Sequence, residues 1–341
     1  MPITIRDIAE KLNISESTVS RALADNHRIS DKTKAKVKEL AKELNYRPNL
    51  IAKSLKIKTT KTIGLIIDDI TNPFYPEIVK GCEQAANKNG LNIILCNSDY
   101  DSAKEIFYLN ILLNKRVDGI LMMPAGKKIP IINILKEACT PLVFIDIKPS
   151  EKINVSCVYT DQEYGSYIAT KYLFELGHRR IALVNGPSGL SSCQQMENGY
   201  KKALDELGIM LNQEYIKVID LINPNVEGAM IQILEMNKTI RPTSALFISD
   251  ITAVAAYDTI QNKGLDIPED FSIIGNDDIP TSKNFSPPLT TLLHPKYEMG
   301  KKALEILLSE LRDKNATLSY NQIRYIPKLI IRKSTSQPKA L

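Results

Sequence analysis

Glu16, Ser17, Ser20 and Arg21 stand at i, i+1, i+4 and i+5, a spacing that gathers a carboxylate, two hydroxyls and a guanidinium on one face of a helix. Such a set can read base edges. Arg pairs bidentately with guanine O6 and N7, a carboxylate accepts from cytosine N4, and a helix fits the major groove. Val19, Ala22 and Leu23 occupy the opposite, apolar side, and a merely solvated helical hairpin is the plain alternative.

A second set of candidate residues lies far downstream. Asn72, Phe74 and Tyr75 follow one apolar run, Asp146 ends another, Ser249 and Asp250 end a third, and Asp277 follows Ile273-Ile274-Gly275. Aromatic faces beside carboxylates and amides suit a sugar, whose CH-rich ring faces stack while its hydroxyls take directional hydrogen bonds. Each of these residues also has an ordinary reading as a turn, cap or core residue.

The elements that must hold the first set are short helices. Ile5, Ile8, Ala9 and Leu12 follow an i, i+3, i+4, i+7 pattern, Asn13 suits a left-handed helix end, and Ser15 can cap the next helix with its hydroxyl. Val37, Leu40, Ala41 and Leu44 mark a third helix. Residues 1 to 61 carry fourteen Lys or Arg against seven Asp or Glu, whereas the remainder carries 30 against 32. A basic head on a near-neutral body matches a phosphate backbone better than a membrane, since no large apolar face accompanies the lysines. After Pro48, residues 49–56 can form about two helical turns, too few to stand alone in water. Tyr46 and Asn49 can hydrogen-bond phosphates, and Leu55 can enter a minor groove as an apolar wedge; a plain linker is the alternative.

With D-I-A, I-S, T-V-S-R, L-N-Y and P-N-L-I-A-K-S-L in this order, residues 1 to 56 resemble the DNA-binding head and hinge of the LacI/GalR family of bacterial transcriptional regulators, and the likeness continues through nearly the whole chain. The resemblance implies that Glu16, Ser17 and Arg21 read bases and that Thr4, Ser15, Tyr46 and Asn49 touch phosphates. It places Ala52, Lys53 and Leu55 in the minor groove. Ala24 stands where the family often has Asn, which removes a backbone contact.

Short apolar runs at 61–70, 91–99, 117–124 and 141–147 alternate with helical spacing, and the alternation resumes at 179–187, 215–220, 244–249 and 271–278. Strands buried on both faces with helices between them predict parallel, doubly wound sheets. The expected fold is a small all-α helix-turn-helix head plus an α/β, periplasmic-binding-protein-like core of two such lobes. The expected bounds are 1–47 for the head, 48–60 for the hinge and linker, 61–333 for the core and 334–341 for a tail. Lobe 1 takes about 61–160 and 291–320, and lobe 2 about 161–290 and 321–333. Five Cys without a C-x-x-C pair, no N-terminal apolar signal and no membrane-length run predict a soluble cytoplasmic protein without cofactor or metal.

Enzyme signatures are missing: there is no G-x-S-x-G, no Walker A run and no H-E-x-x-H. Asp68-Asp69 and Asp277-Asp278 are neighbours on strands, so each pair splits between two faces rather than converging on one ion. Ligands of open α/β sheets sit beyond the carboxyl ends of the strands, which points to a cleft between the lobes. The body most resembles ribose-operon repressors, and that pattern pairs the aromatics with an Asp-Arg pair, a second Arg, an Asn and a Gln. This chain keeps Asn72, Phe74, Tyr75, Asp146 and Asp277 but has Ile147, Met196, Ser249 and His294 at the other four positions. Losing both guanidiniums argues against ribose. His294 fits either a neutral cleft donor or a structural role. The expectation is a repressor of a carbohydrate-utilisation operon, a homodimer on double-stranded operator DNA, released by a sugar-like small-molecule effector. The alternative is a catabolite-control type switched by a partner protein.

Overall fold

A computed structural model describes residues 3–46, 59–124, 128–148, 154–312 and 320–339. They form two units divided between Thr60 and Lys61.

The first unit holds helices α1 (Ile5–Leu12), α2 (Glu16–Leu23) and α3 (Asp31–Glu43). Thr4 opens α1 with a capping box: Asp7 N donates to Thr4 Oγ1, and Thr4 N donates to the Asp7 carboxylate at 2.7 Å. Asn13 closes α1 at φ 52°, the left-handed conformation that Asn tolerates better than most residues. Ser15 then caps α2, accepting from Thr18 N at 3.1 Å, and Ser30 caps α3. Ile8, Ala9, Val19, Ala22, Val37 and Ala41 form the buried centre of this unit.

The second unit contains two six-stranded sheets. Strands β1 (Thr62–Ile67), β2 (Asn92–Asn97), β3 (Gly119–Met122), β4 (Leu142–Ile145) and β5 (Ser156–Thr160) belong to the first sheet, with helices α4 (Phe74–Lys88), α5 (Ser102–Asn114) and α6 (Lys128–Glu137) between them. Helix α7 (Gln162–Glu175) opens the second lobe. Its sheet takes β6 (Ile181–Asn185), β7 (Ile216–Val218), β8 (Ser244–Phe247), β9 (Ser272–Asp277) and β10 (Thr290–Leu293), connected in part by α8 (Ser191–Glu206), α9 (Val226–Leu234) and α10 (Asp250–Asn262). Helix α11 (Lys296–Arg312), β11 (Gln322–Tyr325) and β12 (Lys328–Ile330) follow.

The strand orders are β11-β5-β4-β3-β1-β2 and β12-β10-β9-β8-β6-β7, parallel throughout except for β12 against β10. Strands β3, β4, β5, β6 and β8 are buried along their whole length, which is why β3 and β4 read as unbroken apolar runs.

Two crossings differ from expectation. Residues 290–293 lie in the second sheet and 322–325 in the first, whereas the expected lobe bounds gave 291–320 to lobe 1 and 321–333 to lobe 2. A four-residue apolar strand fits either sheet by composition; its partner decides, and Thr290 to Leu293 pair with Ile274 to Asp277. The expected tail is also tied down as far as it is described. Ser334 is fully buried, its Oγ donates to Ile273 O at 2.7 Å, and Ser336 O contacts His178 Nε2 at 3.0 Å.

Glycines set two helix contacts. A Cβ at Gly300 of α11 would lie 2.0 Å from Ile78 O of α4, and one at Gly199 of α8 would lie 1.9 Å from Glu163 O of α7. No helix among the described residues is long and apolar enough to cross a membrane.

Candidate nucleic-acid interface and ligand cavity

On α2, Val19 and Ala22 turn into the core while Glu16, Ser17 and Arg21 are exposed and Ser20 is half-buried. The capping bond at Ser15 sets where α2 begins, and so fixes which residues share the outer face. The Ser15 hydroxyl lies 2.8 Å from those of both Ser17 and Thr18, yet Ser15 stays exposed. Thr4 is exposed beside its capping partner Asp7. Tyr46 packs half-buried against the head's core. Asn49, Ala52, Lys53 and Leu55 lie outside the described residues.

Within the second unit, a cavity of about 270 Å³ lies between the lobes at the carboxyl ends of the strands. Seven predicted residues line it: Asn72, Phe74, Tyr75, Asp146, Ile147, Ser249 and Asp277. Asn72 Oδ1 accepts from Phe74 N at 3.0 Å at the start of α4, leaving its amide NH₂ as the free end. The Phe74 and Tyr75 rings meet edge to face with centroids 5.3 Å apart. Ser249 caps α10, with Thr252 N donating to its hydroxyl at 3.3 Å.

Met196 and His294 are not part of the lining. Met196 shares the inward stripe of α8 with Cys193 and Tyr200 and is buried in the second lobe's core, because a thioether has nothing to offer a polar cavity. His294 is buried behind the wall, with Nε2 2.7 Å from Asn276 Oδ1 and its ring edge-on to Phe74. Burial, and then the nearby Lys296 charge, push its pKa down to about 3. The neutral ring donates through Nε2 and fixes Asn276. Its role is positional.

The lining residues that the sequence did not single out as ligand contacts include the polar Asp68, Tyr100, Gln162 and Asn276. Tyr75 Oη donates to Asp68 at 3.2 Å and lies 3.0 Å from Tyr100 Oη. Asn276 Nδ2 donates to Ile248 O at 3.0 Å and to Gln162 Oε1 at 3.2 Å. Tyr100 follows β2 and Asn276 is the last residue but one of β9, so the strand-end rule that found Asn72 and Asp146 would have found both.

The cavity's electrostatics are one-sided. Burial raises the carboxyl groups of Asp68, Asp146 and Asp277, with Asp146 pushed up to about 7. Asp146 sits at φ 57°, and its Oδ1 is buried without a hydrogen-bond partner among the described residues. Asp277 Oδ2 accepts from Asp250 N at 3.3 Å. Buried Lys296 donates to Asp277 O at 2.5 Å and Asp278 O at 3.1 Å, and its charge opposes the upward shifts of Asp146 and Asp277. Asp278 pairs with Arg332 at 2.5 Å, away from Asp277, so that pair splits as expected, whereas Asp68 and Asp69 both line the cavity, Asp69 also accepting from Thr71 N in its own turn.

A helix-turn-helix unit in one chain with a two-lobed α/β core enclosing a polar cavity defines a regulator of the ligand-responsive class. Residues 4–49 match the family model described as bacterial regulatory proteins, lacI family, and residues 170–335 match the periplasmic binding protein-like domain. The HTH-type transcriptional repressor PurR of Aliivibrio fischeri (strain MJ11) is 37% identical over 313 residues, covering 92% of this chain and 93% of the relative. The ribose operon repressor of Haemophilus influenzae is 37% identical over 332 residues, covering 97% and 98%. A solved structure of the Lac repressor dimer bound to operator and the anti-inducer ONPF superposes with a TM-score of 0.85 at 27% identity, covering 98% of this chain and 100% of that one. The chain belongs to the LacI family and is a transcriptional repressor, not an enzyme.

Proposed function

We propose that this repressor binds a pseudo-palindromic operator as a homodimer and that a small, carbohydrate-like effector in the cavity between the lobes sets its affinity for DNA. The head's half of the reading rests on the exposed Glu16, Ser17 and Arg21 on a capped α2 and on the basic balance of residues 1–61. Two such helices about one helical turn of DNA apart would read paired half-sites. The solved relative in its dimeric, operator-bound form supports that arrangement.

The observation that carries the effector reading is the convergence of Asp146, Asn72 and Tyr75 from one lobe with Asp277, Gln162 and Asn276 from the other on one small cavity. Acceptors and amides around an aromatic wall suit a ring bearing several hydroxyls. This inward-facing polar lining also favours a small molecule over a partner protein as the switch. Ser191 Oγ of the second lobe lies 3.3 Å from Lys148 O of the first, so a ligand touching both sides acts on the same lobe-to-lobe spacing as this contact. A ligand that prefers one spacing shifts the population toward it, and release of the operator is the expected direction. Ribose is not the expected effector, because no Arg or Lys lines the cavity among the described residues.

A thermal-shift panel of pentoses, hexoses and nucleobases, followed by operator titration, tests this. Ligands that bind only the native state raise the melting temperature by mass action. A sugar that does so and weakens operator binding supports the reading; a nucleobase that does so, with sugars inert, refutes the carbohydrate assignment.

A further inference from the structure

The cavity carries carboxylates from three strand ends, Asp68 after β1, Asp146 after β4 and Asp277 at the end of β9, and among the described residues its wall holds no Arg, Lys or His. Lys296, whose charge acts on Asp146 and Asp277, is 1% exposed and spends its donors on the carbonyls of Asp277 and Asp278. Asp68 is partly served by the hydroxyls of Tyr75 and Ser98, and Asp277 by Asp250 N. Among the described residues Asp146 Oδ1 is served by none, although leaving a buried acceptor unpaired is unfavourable and more so when it is charged. Ile147 stands beside it, offering no donor.

We infer that the cavity's occupant is a single-ring sugar or polyol bearing a protonated amine, seated with its ammonium against Asp146 and within reach of Asp68 and Asp277. This rests on the reading of the cavity as the effector site. An ammonium brings three donors and the positive charge that the wall lacks, whereas a neutral hydroxyl brings one donor and no charge, and a phosphate or carboxylate is repelled. The Phe74, Tyr75 and Tyr100 rings form the adjoining wall, a surface that tolerates a desolvated cation. The cavity volume of about 270 Å³ limits the ligand to about one ring.

Calorimetry on the full chain compares 2-amino-2-deoxy forms of glucose, galactose and mannose with the neutral parent sugars, with ribose and with glucose 6-phosphate. At least one amine binds more than about tenfold tighter than its parent, a difference of about 1.4 kcal/mol. Asp146→Asn and, separately, Asp68→Asn reduce that ratio, the amine losing more affinity than its parent sugar in each variant; a ratio unchanged in both overturns the inference. A neutral sugar or a phosphate binding as tightly as any amine overturns the inference and leaves the effector site standing. If no compound of either charge class binds at millimolar concentration, both fall.

Discussion

Replacing Asp146 by Asn removes a buried carboxylate while keeping its shape and its left-handed backbone, which Asn adopts readily. The carboxyl moves from an ordinary value of 3.8 to about 7 on folding, because burial penalises the ion and Lys296 only partly offsets it. At about 1.4 kcal/mol per pH unit, that displacement means roughly 4 kcal/mol of stability withheld once the acid is ionised in both states. The sign follows from proton counting: between pH 4 and 7 the folded core holds the extra proton, so stability falls as pH rises and levels off above 7. The new amide gives back about 1–3 kcal/mol if its NH₂ finds no partner. Melting of the ligand-free protein at pH 8 should therefore rise by about 2 °C or more in Asp146→Asn, using about 2–4 °C per kcal/mol for a large domain. The gain should shrink towards pH 4. Asp68, Asp277, Tyr75, Tyr100 and Lys296 surround the same space, so the pH dependence is weakened by the substitution, not abolished. An equal loss of melting temperature at pH 4 and pH 8 would refute the reasoning, because Asp146 would then act as a structural hydrogen-bonding residue.

Three further outcomes are expected. Arg21→Ala should relax specificity at one base pair of the half-site by about 1–3 kcal/mol, read by anisotropy on single-substituted duplexes; a uniform loss on every sequence would mean that Arg21 holds phosphate instead. At Asn13, held at φ 52°, Ala should lower the head's stability by about 1 kcal/mol whereas Gly should be close to neutral or better, measured by denaturant titration. Gly199→Ala should cost more than about 1–3 kcal/mol in core melting, since its methyl meets the Glu163 carbonyl rather than a side chain that can swing away; an unchanged melting temperature would show that α7 and α8 separate without penalty.

The head was largely legible because local rules decide it. Asn13 and Ser15 mark the turn by their own backbone preferences, and the period of Ile5, Ile8, Ala9 and Leu12 survives packing unchanged. The doubly wound lobes were legible for a related reason: strands such as Leu142–Ile145, covered on both sides, have no polar face to hide. Pairing between lobes was not. Thr290–Leu293 and Gln322–Tyr325 are too short for composition to choose a sheet, and the choice is made by register with distant strands.

In the cavity, Asn72, Asp146, Ser249 and Asp277, placed by the strand-end rule, reached its wall, whereas Asp250 is buried behind it, its carboxylate accepting from Ile279 N, Ser282 and Thr291. Met196 and His294 came from positional likeness alone, and their side-chain chemistry sent them elsewhere, one to the core and one to hold Asn276. Gln162 gave no signal, since a glutamine in the first turn of a helix is commonplace until β9 of the same lobe brings Asn276 against it.

Selection of duplexes from a random-sequence library by the full chain at low ionic strength tests the central claim most directly. Recovered sequences should share a two-fold symmetric site with half-sites about one helical turn apart, and Arg21→Ala should blur one position in each half. Recovery of sequences without a shared motif, at the frequencies of the starting library, would contradict the account.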